Sequence, residues 1–519
     1  MSWELKRQIG LLIDRKGYVY RVILGDAHSI FIPDLGRLRH GLGRLRGLRL
    51  IHTHLGESGL DQEDIMDMVF LRLDFVSVLN VDHLGRPTYF QWAHLMPPNP
   101  KDDLYVVNDR VPWDKIDVDF ASLIESLESE FKRTEEGFSL SSEERAILIS
   151  VGTEPKHIQL SALKELESLA ITAGLKVMES VVQRVSKENP NFILGKGKLA
   201  ELEVIALQNN ASILIFNKEL TPTQMRNLAD ITERKVLDRT QLILDIFAQH
   251  AKTKAGKLQV ELAQLEYTLP RLTKKNKALS RLTGGIGGRG PGETKLELDK
   301  RRIKERRSRI KKELAKLRRQ RSLVRKRRKK EEVFVVSLVG YTNAGKSTLL
   351  NTLTNSNIYT ADKLFATLDP TSRQLYLGAD YKVVITDTVG FIRYLPENLR
   401  EAFLATLEEL SEADLLIHVA DASHPEVEMQ IESVESILKD LNLHNIPIIL
   451  VLNKWDLVED EKGLILKNIY PEAIPITALD RSSLGPLLSE IKKSLPINNR
   501  KKSFMYISQE GVPLIDVQF

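Results

Sequence analysis

The chain has 519 residues, which is more than one hydrophobic core supports and predicts about three or four domains. Its 42% hydrophobic and 28% charged residues are typical of a globular protein, no apolar run approaches the about 18 residues of a membrane span, and the N-terminus shows no apolar secretion segment. Cysteine is absent, which excludes disulfides, thiolate metal sites and cysteine nucleophiles and fits a reducing compartment. We therefore predict a cytoplasmic protein.

Charge is distributed unevenly along the chain. The formal net charge is +5, but residues 251–330 contain 29 Lys and Arg against 7 Asp and Glu, a net charge of +22, and all other residues together carry −17. A basic block of this size beside acidic neighbours predicts a polyanionic partner, most simply a nucleic acid.

Residues 1–110 indicate a small α/β or mainly β unit, because short apolar or alternating runs recur in them. Pro97, Pro98 and Pro100 then indicate a boundary, which a polar, acidic stretch follows to about Glu144. We predict a separate N-terminal α/β domain over residues 1–140. The predicted strands are Ile9–Ile13, Val19–Ile23, Leu48–His52 and Phe75–Val81.

A His-x-His pair ends one of these strands. His52, His54 and the later Asp64 resemble the metal-binding element of JAB/MPN-type metalloproteases, in which two imidazoles and a carboxylate hold zinc with one position open to water. The match is incomplete, because Asp61 stands where that family usually has serine, the spacing from His to Asp is one residue short, and an upstream glutamate base is not evident. We therefore interpret the region as a degenerate or purely structural domain and keep a zinc site as the alternative.

Strand and helix patterns alternate over residues 141–250, which we predict to be a second α/β domain. This order implies a parallel, doubly wound sheet with short right-handed crossovers. The predicted strands are Ala146–Val151, Val177–Val185 and Ile213–Phe216, and the predicted helices are Leu160–Ala173, Leu199–Gln208 and Thr221–Ile231.

Residues 251–330 indicate two amphipathic helices, which would pack as an antiparallel hairpin or coiled coil. The joining segment Gly284–Glu293 has six glycines in ten residues and is predicted to be a loop. The basic arm Lys300–Lys330 would lie along RNA phosphates, and a solvated coiled-coil face is the alternative. The two apolar stripes are Leu258, Leu262, Leu265, Leu269 and Ile303, Ile310, Leu314, Leu317, Val324.

The segment Val333–Leu350 is the most informative of the chain. A strand ends at Gly340 and a helix begins at Gly345-Lys346-Ser347, the spacing that wraps backbone N–H groups around a polyphosphate. Lys346 would reach the β- and γ-phosphates, and the Ser347 hydroxyl would hold Mg²⁺. We predict an α/β P-loop domain over residues 331–497 and a tail over 498–519. Its predicted strands are Val333–Val339, Lys382–Thr386, Leu415–Ala420, Ile446–Leu452 and Ile474–Thr477.

Three further motifs follow later strands. Asp387-Thr388-Val389-Gly390 would place Asp387 to bind Mg²⁺ through water and the Gly390 N–H beside the γ-phosphate. In Asn453-Lys454-Trp455-Asp456, the Asp456 carboxylate can accept from both N1–H and the 2-amino group of guanine, a pair that adenine does not offer, so the predicted nucleotide is GTP. Thr477-Ala478-Leu479 would cover the base with backbone N–H groups.

The segment FATLDPT supplies Thr367 as the second Mg²⁺ hydroxyl, with Thr371 as its competitor. Phe391 stands where Ras-like GTPases hold the glutamine that orients the attacking water, so we predict slow intrinsic hydrolysis and a water-positioning group from another loop or a partner.

The predicted site residues are Lys346, Thr367 and Gly390 for catalysis; Ser347, Thr367 and Asp387 for Mg²⁺; and Gly340, Tyr341, Thr342, Asn343, Ala344, Gly345, Lys346, Ser347, Thr348, Phe365, Ala366, Thr367, Leu368, Asp369, Asp387, Thr388, Val389, Gly390, Asn453, Lys454, Trp455, Asp456, Thr477, Ala478 and Leu479 for GTP.

These residues resemble the HflX family of translation-factor-class GTPases, over roughly Val151–Leu495. Beyond the shared GTPase motifs, the segments GTEPKHIQLSALKELESLAITAG, NPNFILGKGKL, LDRTQLILDIFAQHAKTKAGKLQVELAQLEYTLPRL and GGIGGRGPGETKLELDKRRI are similar to family signatures, as is the phenylalanine after DTVG.

The resemblance implies a ribosome-associated GTPase that binds the large (50S) subunit and its 23S-type rRNA, promotes separation of the subunits in stalled or idle ribosomes, and leaves after hydrolysis of GTP to GDP. It also implies that Gly284–Glu293, with Arg289 as its only cation, faces the rRNA of the peptidyl-transferase region. Two alternatives remain, a GTPase in tRNA modification, RNA maturation or ribosome assembly, and a nucleotide-gated interaction protein. The oligomeric state is open, with a monomer favoured.

Overall fold

The computed structural model describes residues 1–33, 35, 45–97, 103–138, 144–272, 295–330, 333–354, 365, 371–377, 382–393, 410–443 and 445–495. The chain divides into two compact units, Met1–Leu242 and Ile243–Phe519. The predicted mixed α/β class with several domains is confirmed, because the described strands form separate sheets that are covered by helices.

The first sheet of the N-terminal unit has the strand order β2-β1-β3-β4-β5-β6, with β7 paired to β5. β3 and β4 are parallel and are connected through helix α2 (Gln62–Leu71), whereas the other pairs are antiparallel. A short helix α1 (Ser2–Leu5) precedes the sheet. The strands are β1 (Ile9–Asp14), β2 (Val19–Leu24), β3 (Leu48–Leu55), β4 (Phe75–Val81), β5 (Pro87–Leu95), β6 (Tyr105–Val107) and β7 (Val111–Pro112).

The acidic stretch before Glu144 contains a helix, α3 (Phe120–Phe138), which the composition of the stretch did not reveal. Its apolar residues recur at helical spacing, and Ile124 and Leu127 are buried against Phe75 of β4. The rings of Phe75 and Phe120 are stacked with centroids 4.3 Å apart. The residues that follow Pro97 therefore pack on the first sheet. Pro98 and Pro100 lie outside the described residues.

The second sheet of this unit has the order β11-β10-β8-β9, and all of its neighbours are parallel, as predicted for residues 141–250. β11 was not predicted, because only Val236 and Leu237 of its four residues are apolar. The strands are β8 (Arg145–Gly152), β9 (Lys176–Arg184), β10 (Ile213–Phe216) and β11 (Lys235–Asp238), and the helices are α4 (Lys156–Thr172), α5 (Lys196–Gln208) and α6 (Pro222–Thr232).

The two sheets of the N-terminal unit share a packed interface, formed by α2 and α5. Met68 and Val69 of α2 lie in one hydrophobic core with Ala200, Val204 and Leu207 of α5. At its edge a buried ion-pair network joins Arg72, Glu203 and Arg234, whose side chains are 3%, 3% and 0% exposed.

The second unit contains the predicted helical arms. α7 (Arg239–His250) leads into α8 (Lys254–Leu272), and α8 packs on α9 (Lys295–Lys330). The contacts Lys254–Glu313 and Glu261–Arg306 run in opposite order along the two helices, so the helices are antiparallel, as predicted.

The buried stripe of α8 differs in part from the predicted one. Leu258 is buried as expected, but Ala263 and Tyr267 are more buried than Leu262, Leu265 and Leu269. On α9, Ile310 is fully buried, and Ile303, Leu314 and Leu317 are partly buried. The Gly284–Glu293 loop with Arg289, and the side chain of Val324, lie outside the described residues.

The last sheet has the order β13-β14-β12-β15-β16-β17, with β13 antiparallel to β14 and the other neighbours parallel. None of the helices that the structure describes is long and apolar enough to cross a membrane. The strands are β12 (Phe334–Val339), β13 (Thr371–Tyr376), β14 (Lys382–Asp387), β15 (Leu415–Asp421), β16 (Ile448–Asn453) and β17 (Ile474–Pro475), and the helices are α10 (Lys346–Thr354), α11 (Val427–Asp440), α12 (Asp460–Ile469) and α13 (Gly485–Ser494).

Candidate nucleotide site

The loop between β12 and α10 depends on two glycines. Gly340 has φ +149°, and a Cβ atom there would lie 2.1 Å from the Val419 carbonyl oxygen. Gly345 has φ +91°, and a Cβ atom there would lie 2.2 Å from Nδ2 of Asn453. A side chain at either position would be strained and would collide with a neighbour, so the loop that leads to the α10 N-terminus requires both glycines.

Lys346 is the first residue of α10 and is buried beneath the loop. Its Nζ donates to the carbonyl oxygens of Gly340 (3.1 Å) and Tyr341 (2.7 Å). Burial lowers the pKa of Lys346 to about 8, although the Asp387 carboxylate acts in the opposite direction. The ammonium group is thus held inside the loop that is predicted to receive the phosphates.

Ser347 and Asp387 come together at the ends of their elements. β12 and β14 are parallel neighbours, so the end of β14 brings Asp387 beside the start of α10. The Ser347 hydroxyl donates to Oδ2 of Asp387 at 2.5 Å. Hydroxyl and carboxylate oxygens are the donors that Mg²⁺ prefers, so this pair fits the predicted magnesium site.

The DTVG loop lies directly on the phosphate loop. Phe391 N–H donates to the Gly340 carbonyl (3.1 Å), and Thr342 N–H donates to the Phe391 carbonyl (2.8 Å). A Cβ atom at Gly390 would approach the Thr342 Cα to 2.8 Å and the Lys346 Nζ to 3.1 Å. Gly390 therefore adjoins the residues that would hold the γ-phosphate. The side chain of Phe391 is only 4% exposed.

Asn453 connects the phosphate loop to the predicted base-binding loops. Its Nδ2 donates to the Ala344 carbonyl (2.8 Å), and its Oδ1 accepts from Ala478 N–H (2.9 Å). Asp456 is exposed and accepts from the Thr477 hydroxyl at 3.0 Å. These contacts place the Asp456 carboxylate beside the backbone that is predicted to cover guanine.

The remaining predicted residues lie around these contacts. Lys454 pairs with Asp421 at 2.6 Å, and Trp455 N–H donates to the Ile476 carbonyl. Thr388 donates to the Leu338 carbonyl at 2.6 Å. Asn343 sits in the phosphate loop with φ +62°, Thr348 is in the first turn of α10, Val389 is buried, and Leu479 is 82% exposed at the outer edge.

The FATLDPT segment is described only at its two ends. Phe365 is buried, and its ring packs edge-on against Phe247 of α7 with centroids 4.7 Å apart. Thr371 begins β13 and is the register partner of Asp387. Ala366, Thr367, Leu368 and Asp369 lie outside the described residues, so the choice between Thr367 and Thr371 stays a prediction.

Two residues near the site were not predicted. His418 is buried on β15, and burial, followed by the nearby Lys346 charge, lowers its pKa to about 4, so the imidazole is neutral at physiological pH. Asp421 ends the same strand and binds Lys454. In the sequence, both are polar residues of the otherwise apolar run LLIHVAD. Polar residues also occur at ordinary core positions, so this pattern alone does not indicate a functional role.

In the N-terminal unit, the structure brings His52, His54 and Asp64 together, with their ligand atoms within 4.8 Å of one another. On α9, Lys304, Arg307, Lys311 and Lys312 line one shallow cleft; the three lysines are exposed and Arg307 is partly buried.

Comparison with known proteins covers most of the chain. Residues 161–248 match the family described as GTP-binding GTPase N-terminal, residues 250–328 the GTP-binding GTPase middle region, and residues 335–454 the 50S ribosome-binding GTPase family.

Two relatives match over more than half of the chain. The GTPase HflX of Caldanaerobacter subterraneus subsp. tengcongensis is 48% identical over 363 residues, which are 70% of this chain and 83% of that protein. The GTPase HflX of Escherichia coli (strain K12) is 46% identical over 318 residues, which are 61% of this chain and 74% of that protein. A GTP-binding protein of Sulfolobus solfataricus solved with GDP is 26% identical, with 68% of this chain and 98% of that chain covered and a TM-score of 0.38. The chain belongs to the HflX family of GTPases and is a GTP hydrolase.

Proposed function

We propose that this GTPase acts in the cytoplasm, binds the large ribosomal subunit through rRNA, and promotes separation of the subunits of stalled or idle ribosomes. GTP and Mg²⁺ would favour the ribosome-binding conformation, and hydrolysis to GDP would release the protein. The hairpin α8–α9 would contact rRNA phosphates, because its exposed Lys and Arg side chains neutralise RNA charge.

One contact carries the proposed switch, the packing of Phe365 on Phe247. Phe365 is the first residue of the FATLDPT segment, which is predicted to sense the γ-phosphate. Phe247 lies in the last turn of α7, seven residues before α8 begins at Lys254. Both rings are buried, at 3% and 1% exposure. Phe365 also has φ +57°, a backbone conformation that is uncommon for a bulky residue and is often found at functional sites. Ordering of this segment by GTP would therefore act on the base of the hairpin.

The chemistry of the site follows from its own residues. Lys346, held between the Gly340 and Tyr341 carbonyls, is positioned to neutralise the β- and γ-phosphates, and the Gly390 N–H adjoins the same place. Ser347 and Asp387 would hold Mg²⁺, which when bound neutralises charge on the phosphate oxygens.

Phe391 supports the expectation of slow intrinsic hydrolysis. Its side chain is apolar and buried, so it has no group that could orient an attacking water. The missing group would come from another loop or from the ribosome. Single-turnover hydrolysis should be slow for the isolated protein and should rise at least about tenfold with 50S subunits; turnover of tens per second without a partner would contradict this expectation.

The binding proposal is tested by co-sedimentation with purified 50S subunits, 30S subunits and 70S ribosomes in a series of salt concentrations. The protein is loaded with a non-hydrolysable GTP analogue, with GDP or with no nucleotide. We expect binding to 50S that is tightest with the analogue and that weakens steeply with salt.

Light scattering of 70S particles then measures subunit separation directly. Equal binding in all three nucleotide states would refute the switch. Binding that does not depend on salt would favour a protein partner, and binding to tRNA or precursor RNA without 50S would favour a role in RNA modification or maturation.

A further inference from the structure

The geometry points to a second metal site, outside the GTPase domain: we propose that His52, His54 and Asp64 bind one divalent transition-metal ion of the zinc class and thereby fasten α2 to β3.

Local structure places all three side chains independently of any ion. His52 and His54 are two residues apart on β3 and so project from the same face of the sheet. Asp61, the N-cap of α2, accepts from the N–H groups of Glu63 and Asp64, and the Asp64 carboxylate accepts in return from Asp61 N–H at 2.9 Å. This capping box fixes Asp64 in the first turn of α2, opposite the two imidazoles.

The distances match those of a tetrahedral metal site. Nε2 of His52 lies 3.0 Å from Nε2 of His54 and 3.0 Å from Oδ1 of Asp64, and Nε2 of His54 lies 3.5 Å from Oδ2 of Asp64. A zinc ion with bonds of about 2.0–2.1 Å holds its ligand atoms about 3.3 Å apart. The observed separations need to change by only a few tenths of an ångström. The spacing from His to Asp that is one residue short therefore does not prevent the three ligands from converging.

The hydrogen-bond partners of His54 are compatible with the tautomer that binds a metal through Nε2. Nδ1 of His54 lies 3.3 Å from the Ser58 carbonyl, which only accepts, and 3.2 Å from the Ser58 hydroxyl, which accepts as well as donates, so a neutral His54 has partners for a proton on Nδ1. Nε2 of His54 then presents a lone pair to a carboxylate oxygen that also has only lone pairs. A metal ion at the centre would accept both, and the Ser58 carbonyl would hold the His54 ring in the required tautomer.

Burial gives a second, independent indication. The side chains of His52 and His54 are 0% and 4% exposed, and Nδ1 of His52 is buried with no hydrogen-bond partner among the described residues. Such burial is costly unless another interaction compensates for it. Within the described part of the chain, the hydrogen-bond and ion-pair partners of the His52 side chain are His54 and Asp64, both at Nε2.

The donor set identifies the class of metal. Two imidazole nitrogens and one carboxylate oxygen suit Zn²⁺ and neighbouring transition metals, whereas Mg²⁺ and Ca²⁺ prefer oxygen donors. A water can complete the coordination. Binding through Nε2 requires the proton of His52 to reside on Nδ1, so no proton is released when both rings are neutral.

An ion here would stabilise more than its own ligands. Asp64 lies at the start of α2, and Met68 and Val69 one to two turns later pack on α5 of the next α/β region. Fixing the N-terminus of α2 would therefore support the interface between the two sheets of the N-terminal unit.

The test uses the full-length, tag-free protein, incubated with excess ZnCl₂ and then desalted. Mass spectrometry of metals measures the zinc content, and thermal unfolding with and without zinc measures stabilisation. We expect about one zinc per chain and a higher melting temperature with zinc. His52→Ala/His54→Ala should lose both, and the isosteric Asp64→Asn should bind at least about tenfold more weakly.

His83→Ala, which removes an exposed imidazole in a turn, is the matched control and should behave as the parent protein. GTP binding, measured on every variant, reports whether the chain is folded. If the parent protein holds no stoichiometric zinc, or if the double variant retains it, the three residues form only a hydrogen-bonded cluster and the proposal fails.

Discussion

At the scale of single residues, we propose that Asp456 determines which base the site accepts. Its carboxylate lies at the open edge of the site and contacts the Thr477 hydroxyl. Asp456→Asn replaces one acceptor oxygen by a donor, so we expect GTP affinity to fall at least about a hundredfold while xanthine nucleotides gain affinity. Competition binding with GTP and XTP measures the change. Asp460→Asn, on the exposed first turn of α12, is the control and should leave the preference as it was.

Lys346 predicts a pH dependence of nucleotide binding. Its pKa of about 8 in the nucleotide-free protein should rise on contact with phosphate, because an anion favours the charged ammonium. Above pH 8 binding must then take up a proton, so affinity falls as the pH rises.

Calorimetry in buffers of different ionisation enthalpy measures this uptake. We expect it to increase from roughly a quarter of a proton per nucleotide at pH 7.5 to roughly three quarters at pH 8.5. An uptake that does not change between these pH values would contradict the shifted pKa.

At the scale of elements, the hairpin is predicted to bind RNA through charge. Lys304 and Lys312 are exposed on α9, in the cleft lined by basic side chains. Lys304→Gln/Lys312→Gln should weaken 50S binding and reduce the slope of log affinity against log salt by about 1–2. The control Lys439→Gln/Lys492→Gln removes the same charge from exposed positions of the GTPase domain. Equal effects of the two double variants would argue against a specific role for α9.

The contact between α7 and the FATLDPT segment can be tested separately. Phe365→Leu keeps an apolar side chain but removes the ring contact with Phe247. We expect GTP binding within about threefold of the parent, and a reduced difference in 50S affinity between the GTP-analogue and GDP states. Phe192→Leu, a partly buried ring in the other unit, is the control. An unchanged difference between the nucleotide states would show that these rings do not transmit the signal.

At the scale of the whole molecule, the first sheet of the N-terminal unit is joined to the second sheet of the same unit through buried contacts between α2 and α5. Glu203 of α5 is the shared partner of Arg72 and Arg234, and all three side chains are buried. Glu203→Gln removes the carboxylate that the two buried guanidinium groups share, so we expect a loss of about 3–5 kcal/mol in the free energy of unfolding.

Chemical denaturation measures this loss. Glu201→Gln, on the same helix, breaks the more exposed pair with Lys198 and should cost less than about 1 kcal/mol. Similar losses for the two variants would mean that the buried network does not hold the two sheets together.

The sequence by itself determined the GTPase architecture and the parallel sheets, and it predicted the positions of the nucleotide-binding loops. It could do so because a phosphate loop, a helix N-terminus and a strand end are local: the residues that act together are neighbours in the chain. Several elements were not predicted, among them α2, α3, β5, β11 and β13. The acidic composition of α3 obscured its apolar stripe, and β11 has only two apolar residues.

Only the tertiary structure decided which distant residues meet. The packing of Phe247 on Phe365, the convergence of two strand histidines on the first turn of α2, and the network of Arg72 with Glu203, 131 residues away, all depend on how elements pack. No local periodicity encodes these contacts. Strands and helices lie between Phe247 and Phe365 and between Arg72 and Glu203, and the path of the loop between β3 and α2 decides whether Asp64 reaches the two histidines, which the sequence offered only as an alternative. These contacts are also the ones on which the proposed switch, the proposed metal site and the joining of the two sheets of the N-terminal unit depend.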